Sequence, residues 1–112
     1  MAPPDPRPPK RVKDSALMKR LHQRWRECCL CGTTGPHLSL HHVHRHPRDD
    51  VEANLVMVCG SGTTGCHGRI EARDRVVGAL LRDWLLLERP DTLEYLRGKL
   101  GAFAAREYLG SL

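Results

Sequence analysis

Four of the five cysteines fall into two pairs flanked by glycine, Cys28-x2-Cys31 and Cys59-x6-Cys66. Thiolates bind Zn²⁺ tetrahedrally, and four of them leave no coordination position open, the mark of a structural site. The second spacing exceeds the usual two to four residues, but Gly60, Gly62 and Gly65 make the detour feasible. Cys29 is the spare. Its spacing to Cys31 suits a shared ion poorly, and it reads as a small buried hydrophobe. The odd cysteine count argues against a closed disulfide set.

A second concentration of chemistry lies just downstream. Five of the seven histidines fall between His37 and His46. Imidazole takes a proton near neutral pH and is a common metal ligand. His41 and His42 are neighbours, and on a strand neighbours point to opposite faces. They can serve one site in different roles only where the strand ends or twists. Asn54 follows after eleven intervening residues, and Cys66-His67 after eleven more. For His37, His44 and His46 an exposed polar position is the simpler reading.

The elements that must position these residues are legible as short pieces. Asp14 or Ser15 can cap a helix, and Leu17, Leu21 and Trp25 then make an apolar stripe at four-residue spacing, which predicts a basic amphipathic helix over 15–27. Leu38, Leu40 and His42 alternate with Ser39, His41 and Val43, a short strand. Residues 44–53 read as a polar loop, and Leu55–Val58 as a second strand. From His67 the pattern is helical, with Ile70, Val77, Leu80, Leu81 and Trp84 broadly on one side and Gly78 as an interruption. Asp91 and Glu94 suggest a capping box ahead of a helix from about Thr92 to Lys99. Gly101 would stop it, and a last helix covers about 103–109.

The order of the CCLCG knuckle, His41-His42, Asn54-Leu55-Val56 and Cys66-His67 resembles the HNH endonuclease family, and in particular the short stand-alone HNH proteins of bacteriophages. The resemblance covers about residues 26–73. It implies a small α+β fold: a ββα-metal, treble-clef-like domain with a structural zinc on Cys28, Cys31, Cys59 and Cys66. An N-terminal basic helix and C-terminal helices flank it. Together with the composition and periodicity on either side of it, the resemblance divides the chain into three segments: a proline-rich basic arm at 1–13, a nuclease domain with its leading helix at 14–90, and a helical extension at 91–112. It implies metal-dependent hydrolysis of DNA phosphodiester bonds, by nicking or double-strand cutting, leaving 5′-phosphate and 3′-hydroxyl ends. Residue by residue, His42 matches the general base, and His41 and His67 match ligands of a catalytic divalent cation. Asn54 matches the residue that braces the loop and orients the base. Relatives often carry Asp where His41 stands; the less anionic site favours Mn²⁺, Ni²⁺ or Zn²⁺ over Mg²⁺. Relatives also often carry a Gly-Gly turn where this chain reads HRHPRDDVEA. Arg45, Arg48 and Arg69 are candidates to hold a phosphate, and the helix that His67 opens would turn its positive dipole end to it. Similar phage proteins are often associated with terminase and genome packaging.

Composition fits a polyanion-binding role. The net charge is +5, of which residues 1–26 carry +6 and the remainder −1. Pro3, Pro4, Pro6, Pro8 and Pro9 precede Lys10, Arg11 and Lys13, so the arm is expected to be extended or disordered, and DNA is its natural partner. No apolar run follows Met1 and no stretch approaches the roughly 18 apolar residues of a membrane span. The expected setting is therefore cytoplasmic: the bacterial host cytoplasm if the chain is phage-encoded. The alternative class is a zinc-stapled nucleic-acid-binding module without catalysis. Such a module would need the four cysteines but not His42, Asn54 and His67 together.

Overall fold

In the computed structural model, residues 11–112 are described. The proline-rich segment and Lys10 lie outside them. Five α-helices and one two-stranded sheet form a small α+β unit among these residues. Strands β1 (Leu38–His42) and β2 (Leu55–Cys59) pair antiparallel, with Leu40 opposite Met57 and His42 opposite Leu55. Helix α1 (Ser15–Arg24) precedes the sheet. After it come α2 (Gly65–Glu71), α3 (Arg75–Glu88), α4 (Pro90–Leu100) and α5 (Ala102–Gly110). No helix among the described residues is long and apolar enough to cross a membrane.

The sheet is sandwiched because both its faces are apolar. Leu40, Leu55 and Met57 pack against Leu21 of α1 on one side. Val43, Val56 and Val58 pack against Leu81, Leu85, Leu96 and Ala105 of the C-terminal helices on the other. β2 is accordingly buried from Leu55 to Val58, the continuous apolar run of a strand covered on both sides. Most of this core is aliphatic, and the C-terminal helices supply five of its thirteen buried apolar residues.

Several boundaries differ from the sequence reading. Asp14 caps α1 by accepting from Leu17 N–H at 2.9 Å, but the helix ends at Arg24, not at residue 27. Trp25 turns extended, and the guanidinium groups of Arg24 and Arg89 lie 5.4 and 5.1 Å from its ring centre. The helix expected to open at His67 starts at Gly65 and is not continuous. It stops at Glu71, and Arg73 takes a left-handed φ of 60°. Asp74 then caps α3 through Val76 and Val77 N–H. The interruption thus falls at 72–74, where a good N-cap is available, and not at Gly78. Gly78 lies buried within α3, where the Leu112 carbonyl approaches so closely that a Cβ would sit 2.4 Å from its oxygen. Leu80 is another correction: it is exposed, whereas Val77, Leu81 and Leu85 make the buried stripe.

Helix α4 also starts earlier than the capping box suggests. Pro90 occupies its first turn, where its fixed φ and missing N–H cost nothing. Asp91 therefore sits inside the helix, with its carboxylate held by Arg89 at 2.9 and 3.1 Å and unavailable as a cap. Gly101 ends the helix at φ 84°.

The register of α3 is open to a direct test. Leu81→Ala removes a side chain with no exposure and should cost about 2–5 kcal/mol in a denaturant melt. Leu80→Ala, half-exposed one position earlier, should stay within about 0.5 kcal/mol of the parent.

Candidate functional site

The knuckle is a tight turn. Gly32 N–H bonds the Cys28 carbonyl, Cys28 N–H bonds the Thr33 carbonyl, and Gly32 takes a φ of 74°. Cys59 ends β2 and Cys66 lies in the first turn of α2. The loop between them folds back sharply at Gly60, whose φ is 85° and where any Cβ would collide with Thr64 backbone. The result brings the four sulfurs within 4.8 Å of one another, so these cysteines could coordinate zinc. Sulfurs bound at about 2.3 Å around a tetrahedral ion lie about 3.8 Å apart; Cys31 Sγ and Cys59 Sγ are 3.7 Å apart. Thr33 draws the exposed Cys31 thiol down to about 6, while burial pushes Cys66 up. Cys29 stays out of the cluster. Its N–H bonds the Met57 carbonyl, and burial pushes its thiol up to about 12, as suits an inert packing residue.

The second group of donors lies where β1 faces α2. His41 Nδ1 and His67 Nε2 each lie 3.4 Å from Glu71 Oε1. The two rings meet edge to face at 5.2 Å. Ligand atoms at about 2.1 Å from one tetrahedral ion are about 3.4 Å apart, so the three atoms are spaced to share one. Two further observations fit a cation. His41 is buried, and its Nδ1 has no hydrogen-bond partner among the described residues. Ser39 Oγ lies 2.7 Å from the Gly60 carbonyl and 2.6 Å from His67 Nδ1. A hydroxyl has one proton; given to the carbonyl, it leaves Ser39 to accept from His67 Nδ1–H, so Nε2 is the lone-pair nitrogen facing Glu71. Burial, then the neighbouring His67, pushes His41 down to about 4, and burial also lowers His67. Both imidazoles are therefore neutral near pH 7, the state in which they ligate. Burial opposes ionisation of Glu71, but the contacts around it, led by Arg45 on its other oxygen, together outweigh this and hold the carboxyl below its usual range. With three protein donors, positions remain for water or substrate, unlike the four-cysteine cluster.

These donors open into a cleft of about 390 Å³, lined also by His42, Arg45, Arg48 and Thr63. His42 is the last residue of β1, which lets its ring leave the strand pleat and line the same cleft as His41. Its Nε2 lies 2.8 Å from Asp50 Oδ1. Asn54 stands behind this cleft with no exposure. It accepts from His44 N–H at 2.8 Å and donates to the carbonyls of His44 and Asp49 at 2.9 and 3.0 Å. It thereby ties the two ends of the loop.

Other sequence candidates fall elsewhere. Arg69 is exposed and does not line the cleft. Arg11 bonds Asp50 at 3.2 Å, and Val12 N–H bonds Asp49 at 2.9 Å, so the inner end of the expected arm is stitched to the loop. Lys13 is exposed. His44 is buried against Tyr108, and His46 and His37 are exposed. Glu71, Ser39 and Asp50 were missed by the sequence reading. For Glu71 a signal existed, its i+4 spacing from His67 on one helix face. For Ser39 the signal was its strand alternation with His41. Asp50 had none.

Comparison with protein-family models, with curated proteins and with solved structures gives no match for this chain.

The cysteine cluster predicts one zinc per chain by elemental analysis of the purified protein. Cys66→Ser should abolish zinc retention and the cooperative melt, because binding energy in such sites is folding energy. Cys29→Ser should keep its zinc.

Proposed function

We propose that this chain is a metal-dependent HNH-type endonuclease acting on DNA. The observation that carries the reading is the convergence of His41 Nδ1, His67 Nε2 and Glu71 Oε1 beside His42 in one cleft edged by arginine. Support also comes from the strand–strand–helix order around it, from the loop tied by Asn54, and from the four-cysteine cluster beside it. Two imidazoles and one carboxylate suit Mn²⁺, Ni²⁺ or Zn²⁺, and Glu71 adds a hard oxygen donor that Mg²⁺ also accepts.

A divalent cation held there would supply positive charge to a scissile phosphate oxygen and to the departing 3′ oxygen. The remaining roles belong to the chain. His42 takes the proton of the attacking water, a step worth about 10²- to 10⁴-fold. Arg48, exposed at the rim, takes a phosphate oxygen. Arg45 is committed to Glu71, turning its free oxygen Oε1 toward the histidines. Ser39 fixes the tautomer of His67, and Asn54 holds the loop on which His42 depends. The products are 5′-phosphate and 3′-hydroxyl ends.

Plasmid cleavage across a panel of divalent metals, with EDTA as control, tests this reading. His42→Ala should lower the rate about 10²- to 10⁴-fold with zinc content and melting unchanged. His67→Ala and Glu71→Gln should weaken Mn²⁺ binding by at least about 10-fold along with cleavage. A wild-type protein that binds DNA but cuts none with any metal would instead make it a zinc-stapled binding module.

The arm gives a separate expectation. Residues 11–14 hold the loop, so the clean truncation removes only residues 1–10. That deletion takes away Arg7 and Lys10. If both touch phosphate, the slope of log affinity against log salt should fall by about 2, at roughly 0.9 per contact, with cleavage at saturating DNA retained. Equal slopes would remove DNA contact from the arm.

A further inference from the structure

Asn54 is the family position expected to orient the base, yet all of its side-chain hydrogen bonds go to the backbone of His44 and Asp49. The side chain that touches His42 is Asp50. Its Oδ1 lies 2.8 Å from His42 Nε2 and 3.2 Å from an Arg11 nitrogen, and its Oδ2 accepts from Asp14 N–H at 3.0 Å. Asp50 is 5 % exposed, so these are the partners that satisfy it.

We infer that Asp50 is a positioning residue for His42: its carboxylate holds the ring by Nε2 and leaves Nδ1 as the nitrogen that takes the proton from water. The inference rests on the nuclease reading for the role of His42, but the tautomer it assigns does not. Arg11 and Asp14 N–H supply two donors from outside the histidine, as a carboxylate requires. A carboxylate only accepts, so the hydrogen between it and His42 belongs to the imidazole, on Nε2. An imidazole with one nitrogen so held is fixed in ring orientation as well as tautomer. Burial opposes ionisation of Asp50, but the bonds from His42, Asp14 and Arg11 outweigh it and keep the carboxyl below its usual range.

The carboxylate is itself held. Asp50 N–H bonds the Val12 carbonyl at 2.8 Å. Its neighbour Asp49 is fixed by Val12 N–H, by the Tyr95 hydroxyl at 3.0 Å and by Lys99 at 3.0 Å. Residues 11–14 and α4 thus clamp the acidic pair from two sides, and the orientation of the base is set by segments outside the strand–strand–helix frame.

Three variants and one spectrum test this. Long-range ¹H–¹⁵N spectra of histidine-labelled wild-type protein should show His42 as the Nε2–H tautomer, and Asp50→Asn should lose that single state. In plasmid nicking, Asp50→Asn should lower kcat about 10- to 1000-fold, with KM for DNA and Mn²⁺ affinity within about twofold. Arg11→Gln, which breaks the other bond to Oδ1, should lower stability comparably while keeping the tautomer and most of kcat. Asp50→Glu should recover part of kcat. A wild-type His42 carrying its hydrogen on Nδ1, or an Asp50→Asn enzyme with kcat within twofold of wild type, would overturn the assignment. If Asp50→Asn does not fold, the wild-type spectrum and Asp50→Glu decide. If the wild-type protein cuts no DNA, the nuclease reading fails, while the spectrum still decides which nitrogen Asp50 holds.

Discussion

The arrangement around the cleft depends on how one buried amide is satisfied. Asn54 has no exposure and meets three backbone groups across the loop between the strands. An unsatisfied buried amide costs on the order of 1–3 kcal/mol, so the loop closes where those bonds are made or the strands do not meet in this register. Val43 N–H also bonds the Asn54 carbonyl, continuing the ladder one step beyond β1. Arg89, from the junction of α3 and α4, donates to the carbonyls of Leu55 and Glu52 on either side of Asn54. The end of β1, where His42 must leave the pleat, is thereby fixed from within the loop and from behind it.

Burial and charge act together on the donor group. Taking His41 out of water keeps it neutral and leaves its Nδ1 without a partner among the described residues, a costly state for a polar atom unless something meets it there. Glu71 brings the negative charge that a histidine at position 41 does not, and Arg45 neutralises it from the far side. The neighbouring four-cysteine cluster serves a different end. It joins the knuckle to the end of β2 and to the first turn of α2, and so sets where His67 and Glu71 can reach.

The C-terminal helices, outside the strand–strand–helix region, are integral to both. They cover the outer face of the sheet with Leu81, Leu85, Leu96 and Ala105, core that a chain with five aromatic residues besides histidine does not otherwise have. They also reach the loop through Tyr95 and Lys99 on Asp49 and through the Tyr108 hydroxyl on the Val43 carbonyl.

The residues by themselves determined the parts whose signals are local. Cysteine pairing and glycine placement identified the four clustered thiols, alternation identified β1, a short apolar run identified β2, and Asp14 marked the start of α1. The histidines that meet at the cleft were legible from their order and spacing. Tertiary structure decided what depends on partners distant in the chain. Asp50, which meets His42, is itself held by residues 11–14, 36 and 39 positions away in its bonds to Asp14 and Arg11. Gly78 proved a contact for the chain's last residue, not a helix break, because what meets a missing Cβ is set by packing and not by the helix around it. Hydrogen bonds and close contacts between such distant segments leave no periodicity in the sequence, so only the folded chain reveals them.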